Sequence, residues 1–123
     1  MKSGRDKKIA EEIRREASQI LHYEMKDPRV MGATVTGVKM SPDLRLARIY
    51  YAMPGSEERK ESAKAGLKKS SGFVRHLLAE RMQMKFMPQI EFFYDESFEL
   101  EAKLNDLFKD LPPSDKEEIE SND

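Results

Sequence analysis

The residues of this chain whose types and spacing could do chemistry are basic. Between Arg59 and Lys85 stand Arg59, Lys60, Lys64, Lys68, Lys69, Arg75, Arg81 and Lys85 against two acids, Glu61 and Glu80, a net of +6. Lys60, Lys64 and Lys68 recur at every fourth position, which puts them on one stripe of a helix. A cationic stripe suits phosphate groups, the dominant attraction in nucleic-acid binding. A solvated helix face has the same composition, and on these residues alone both readings stand. Ser70-Ser71-Gly72 interrupts the segment. Ser and Gly are poor helix-interior residues and Gly–Ser pairs cause kinks, so two shorter helices meeting at a bend are expected. A break at Gly72 would free backbone N–H groups and aim the positive end of a helix dipole at the same place.

Other chemistry has little to work with. Neither His22 nor His76 has a second His or Cys at metal-ligand spacing. Isolated histidines of this kind read as surface or boundary residues. The absence of cysteine excludes disulfides and cysteine zinc sites. Without Cys, and without a Gly-flanked serine turn, no nucleophile stands out. Asp95 and Glu96 form a carboxylate pair, but a turn-and-cap role accounts for both. No P-loop or dinucleotide glycine fingerprint is present. Met82, Met84 and Met87 read as flexible core filling. The expectation is a protein that is not an enzyme and uses no metal and no cofactor.

The elements that must position the basic residues follow from periodicity. Ile9, Ile13, Ala17, Ile20 and Leu21 mark one face of a helix over Lys7–Met25, which Pro28 ends by holding Asp27 out of the helical region. Thr34–Met40 is β-branched and roughly alternating, with Gly37 suggesting a bulge or a close backbone approach. Ser41-Pro42-Asp43 turns into a second, antiparallel strand over Leu44–Met53, and Pro54-Gly55 closes the hairpin. Ser56 caps the basic helical segment. Gln89–Tyr94 reads as a third strand, and Phe98, Leu100, Leu104, Leu107, Phe108 and Leu111 as a short final amphipathic helix.

A length of 123 residues allows one domain and one modest core. The formal net charge of −1 hides a segregation: residues 110–123 carry −5 and the remainder +4. The predicted division is a domain over 1–108 and an acidic, disordered tail over 109–123. The tail serves solubility or competes electrostatically for the basic face. No apolar run approaches the roughly 20 residues of a membrane helix, and the charged start is unlike a secretory leader. A cytoplasmic protein without membrane contact is expected. No apolar stripe is left over in this reading, so a monomer is expected.

The order of elements is that of an α+β, type II KH-like domain: α-β-β-α-(kink)-α-β with a short C-terminal helix. KH domains clamp single-stranded nucleic acid with a GXXG loop between two helices. No GXXG occurs here, and Ser70-Ser71-Gly72 stands in its place. In this the chain resembles the bacterial ribosome-binding factor A family, where a kink of small residue, any residue and Gly, usually beginning with Ala, replaces the loop. Further segments resemble that family in order and spacing: Ile13-Arg14-Arg15-Glu16, Lys26-Asp27-Pro28-Arg29, Val35-Thr36-Gly37-Val38, Ser41-Pro42-Asp43-Leu44, Ala47-Arg48-Ile49-Tyr50, Gly72-Phe73-Val74-Arg75, and Pro88 leading to Phe92-Phe93-Tyr94-Asp95-Glu96-Ser97. The likeness spans residues 5 to 108.

The resemblance implies binding to the small (30S) ribosomal subunit during late assembly, help with 5′-end processing of 16S rRNA, and importance at low temperature. It implies action by holding an RNA conformation, with release linked to a ribosome-maturation GTPase. The RNA contacts expected on this basis are Lys60, Lys64, Lys68, Lys69, Arg75, Arg81 and Lys85, with Ser70 and Gly72 setting the kink. Arg45, Lys26 and Arg29 are further candidates at the hairpin and the end of the first helix. The rivals are a general single-stranded RNA-binding KH module, a protein-interaction domain without nucleic acid, and an enzyme.

Overall fold

The computed structural model describes residues 4–114. The acidic segment 115–123, which carries most of the expected tail, lies outside the described residues. Helix α1 spans Gly4–Gln19 and widens into a π turn at Ile20–Glu24. Ile13, Ala17 and Ile20 are fully buried, as their spacing requires. The chain turns extended at Met25 and again at Asp27, the residue before Pro28. A single 3₁₀ turn follows at Pro28–Val30, capped by the Asp27 carboxylate, which accepts a hydrogen bond from the Arg29 N–H.

Strand β1 (Thr34–Met40) pairs antiparallel with β2 (Leu46–Ala52), and β2 pairs parallel with β3 (Gln89–Tyr94). The sheet order is β1-β2-β3. Parallel neighbours need a crossover, and helix α2 (Glu57–Met82) supplies it. Ala47, Ile49 and Tyr51 of β2 are buried with Ile13, Leu67, Val74 and Leu78 of the helices. The opposite face of the sheet carries Arg48 over the Phe93 ring and Lys39 over the Tyr50 ring.

The bulge suggested at Gly37 is present: Val35 faces Tyr51, Gly37 faces Tyr50, and Thr36 is the extra residue. The Thr36 hydroxyl donates to Asp95 at 2.5 Å, and Asp95 in turn caps α3 (Glu96–Lys109) by accepting from the Phe98 N–H. The turn-and-cap reading of Asp95 holds.

Two expectations need correction. The basic segment does not divide at Ser70-Ser71-Gly72: α2 is helical without interruption from Glu57 to Met82. Burying Val74 and Leu78 in line with Ala63 and Leu67 is worth roughly 1.5–3 kcal/mol per large side chain. The propensity cost is roughly 1 kcal/mol for Gly and less for each Ser, so packing outweighs it. No backbone N–H groups are therefore released at Gly72, and no helix dipole begins there. The Ser71 hydroxyl donates to the Lys68 carbonyl within the helix. The second correction concerns α3. It is 14 residues long and none of them is buried; Phe98, Leu100, Leu104 and Leu107 are 47–64% exposed. An unpartnered apolar stripe does exist, so its supposed absence no longer argues for a monomer.

Candidate nucleic-acid interface

The basic residues expected to meet phosphate separate into two groups. In the first, the cation is committed to the fold. Lys60 has only 15% of its side chain exposed; it pairs with Glu57 at 3.1 Å and with Glu99 of α3, and lies over the Tyr94 ring. The Glu99 hydrogen bond raises its pKa above the ordinary lysine value. Arg75 donates to the carbonyls of Met87 (2.7 Å) and Pro88 (3.0 Å), holding the loop that leads into β3. Arg81 bridges from α2 to Glu16 and Glu24 at 3.4 and 3.3 Å. Arg29 grips Asp27 through three side-chain contacts of 2.7–3.1 Å.

We expect Arg75→Met to cost stability, about 1–2 kcal/mol for two lost hydrogen bonds to carbonyls. Urea denaturation measures it. A loss of RNA affinity with unchanged stability would reverse that assignment.

In the second group, Lys26, Lys64, Lys68 and Lys69 are exposed and make no ion pair among the described residues. Arg45 is 88% exposed at the hairpin tip. Its carbonyl accepts from Gln89 N, which places it beside the 83–88 loop, where Lys85 sits over the Phe86 ring. Lys64 borders a hollow of about 700 Å³ between α2, the sheet and α3. That hollow gathers Glu57, Glu61, Glu96 and Glu99 against Lys60, Lys64 and Lys103, a poor field for an anion.

The more suitable place lies at the middle of α2. A cleft of about 400 Å³ brings Lys26 together with Lys69 and Ser70. Sequence spacing could not show this meeting, since 43 positions separate Lys26 and Lys69. Gly66 makes it possible. A Cβ there would lie 2.9 Å from Val30 Cγ1 and 3.3 Å from Arg29 Cβ, so only glycine lets the 25–30 segment seat against α2. At Gly72, by contrast, a Cβ would meet nothing within 4 Å. Gly66→Val should therefore destabilise by about 2 kcal/mol through overpacking, read as a lower denaturation midpoint. Unaltered stability would show that the wall of the cleft yields.

Phe73 completes the cleft, and the sequence alone did not single it out as a site residue. It is 47% exposed. The missed signal was angular: Phe73 lies in line with Gly66, Lys69 and Ser70, whereas Leu67, Val74 and Leu78 form the buried stripe.

The Arg29 clamp holds the Asp27 carboxyl well down, at about 2, with the Arg29 backbone N–H helping and Lys69 nearby. The sign follows directly. A carboxylate depressed in the folded state stabilises at pH above its ordinary 3.8, and the contribution disappears as pH falls toward 2. Asp27→Asn should flatten the part of the stability–pH curve between about 4 and 2. A curve of unchanged shape in that window would refute the clamp.

A three-stranded sheet covered by helices in KH-like order, with lysines on its crossover helix that make no ion pair among the described residues, defines an α+β KH-like binding protein. Residues 5–108 match the family described as Ribosome-binding factor A. A ribosome-binding factor A from Desulfatibacillum aliphaticivorans is 39% identical over 119 residues, covering 96% of this chain and 97% of its own. A Thermotoga maritima protein solved by solution NMR shares the fold with a TM-score of 0.66 at 26% identity, over 76% of this chain and 90% of that one. Thermus thermophilus ribosome binding factor A, as fitted into a cryo-EM map of its 30S complex, gives a TM-score of 0.60 at 24% identity, over 71% and 91%. The chain belongs to the ribosome-binding factor A family. Among the described residues, no helix is long and apolar enough to cross a membrane.

Proposed function

We propose that this protein binds the small (30S) ribosomal subunit during late assembly and assists 5′-end processing of the 16S rRNA. It does so without catalysis, as a cytoplasmic protein that holds an RNA conformation. It matters most in growth at low temperature, and a ribosome-maturation GTPase promotes its departure. Family membership over nearly the whole described chain is the observation that carries this reading. The Thermus relative in its 30S complex supports the choice of partner. Lys26 and Lys69, which share one cleft and make no ion pair among the described residues, favour a phosphate-binding role for that surface. The absence of GXXG weighs against a general single-strand clamp.

The test is co-sedimentation of the purified protein with isolated small subunits, large subunits and unstructured RNA across a salt titration. Selective retention on small subunits is expected, with affinity falling by roughly 0.7–0.9 in log–log slope per phosphate contact. Equal binding to all three would reduce the protein to a generic RNA binder. No binding to any would point to a protein partner.

A further inference from the structure

We propose that the cleft between the end of α1 and the middle of α2 receives one unstacked RNA base, stacked on Phe73 with its flanking phosphates on Lys26 and Lys69. The proposal rests on the reading of this protein as an RNA-binding factor and deepens it, because it says what that RNA presents: an extruded nucleotide as well as a charged backbone.

The arrangement of charge is the first ground. Two carboxylates border the cleft, and both meet arginines: Asp27 pairs with Arg29 at 2.7 Å, and Glu24 meets Arg81, which it shares with Glu16, at 3.3 Å. The two lysines of the cleft, Lys26 and Lys69, make no close ion pair among the described residues, and Lys69 acts on Asp27 only at longer range. The charge left over is therefore positive, and it sits on two opposite walls. A backbone passing over the cleft would find an ammonium on each side.

The second ground is the apolar wall. Phe73 presents nearly half its surface beside these lysines. Duplex RNA offers phosphates and hydroxyls to such a surface, and neither makes use of an aromatic face. An unpaired base does, because every base carries a π-face that stacks on aromatic side chains. The Ser70 hydroxyl, one helical turn back from Phe73, can both donate to and accept from a base edge.

The third ground is that the cleft is already formed. Gly66 admits the 25–30 segment to α2, Asp27 and Arg29 lock that segment, and Arg81 ties the π turn of α1 to the far end of α2. Its volume of about 400 Å³ falls within the range of small-ligand sites. A preformed site orders little on binding, which favours affinity.

The experiment has two arms on the full chain. In the first, wild type, Phe73→Leu, Phe73→Tyr and Lys69→Ala are co-sedimented with small subunits over a salt titration. Phe73→Leu keeps apolar bulk but loses the flat ring, so affinity should fall about tenfold with the salt slope unchanged. Phe73→Tyr should retain affinity, and Lys69→Ala should lower the slope by roughly 0.7–0.9. In the second arm, Phe73→Trp introduces the chain's single tryptophan, since the natural sequence has none. Its fluorescence should be quenched by a short oligoadenylate and not by an acidic peptide at equal concentration. Wild-type affinity in Phe73→Leu, or no quenching by oligoadenylate, overturns the base site while leaving the ribosomal reading in place. Quenching by the peptide instead assigns the cleft to a protein and also overturns it. Failure of the wild type to bind small subunits overturns the ribosomal reading, and oligoadenylate quenching would then support the base site alone.

Discussion

Gly72→Pro is expected to destabilise this protein by about 3 kcal/mol or more. Gly72 lies well inside the 26 residues of α2. A proline there removes one helical N–H and drives its ring against the carbonyl of residue i−4, which is Lys68. That carbonyl also accepts the Ser71 hydroxyl at 3.0 Å, so two contacts are disturbed together. Val74 and Leu78 follow the break, and both are fully buried. A kink would displace them from the stripe they share with Ala63 and Leu67. The melting temperature should fall by about 10 °C or more. Gly72→Ala should move it the other way, by about 1 kcal/mol, because an added Cβ meets nothing there and alanine is the better helix former. The pair of variants decides between a continuous helix and two helices joined at a bend. A tolerated proline with a neutral alanine would mean that the chain breaks at Gly72 after all.

The helix around Gly72 also shows where sequence reasoning reached and where it stopped. The strands were legible because their periodicity is local: Thr34–Met40 and Gln89–Tyr94 have the predicted bounds. The bulge at Thr36 was announced by the glycine next to it, and the end of α1 by Pro28. Helix continuity was not legible, because it depends on what Val74 and Leu78 bury against, and that surface comes from distant strands. The basic residues illustrate the same limit. Counting charge treats every cation as equally available. Arg75 meets carbonyls 12 and 13 positions away, Arg81 meets Glu16 and Glu24 on another helix, and Lys60 is covered by α3. Composition contains none of these pairings. Lys26 and Lys69, by contrast, gain meaning only through the fold, and Gly66, the residue that joins them, carries no chemistry of its own.

Reversing Lys68 and Lys69 together to glutamate should weaken small-subunit binding by about 1,000-fold. At a protein surface a close phosphate–ammonium pair is worth on the order of 1 kcal/mol, and reversal exchanges that attraction for a similar repulsion at each site. The salt slope should fall by roughly 1.4–1.8, the share of two phosphate contacts. Stability should barely change, because both side chains are exposed and neither makes an ion pair among the described residues. Lys60→Glu makes the opposite control: it sets a carboxylate against Glu57 and Glu99, so it should loosen α3 and lower stability. Circular dichroism and thermal denaturation report the fold, while co-sedimentation reports the interface, and the two variants should separate them. If the double reversal binds small subunits as the wild type does while its fold is intact, the exposed stripe of α2 faces solvent in the complex, and the RNA must lie on the Arg45–Lys85 end of the sheet instead.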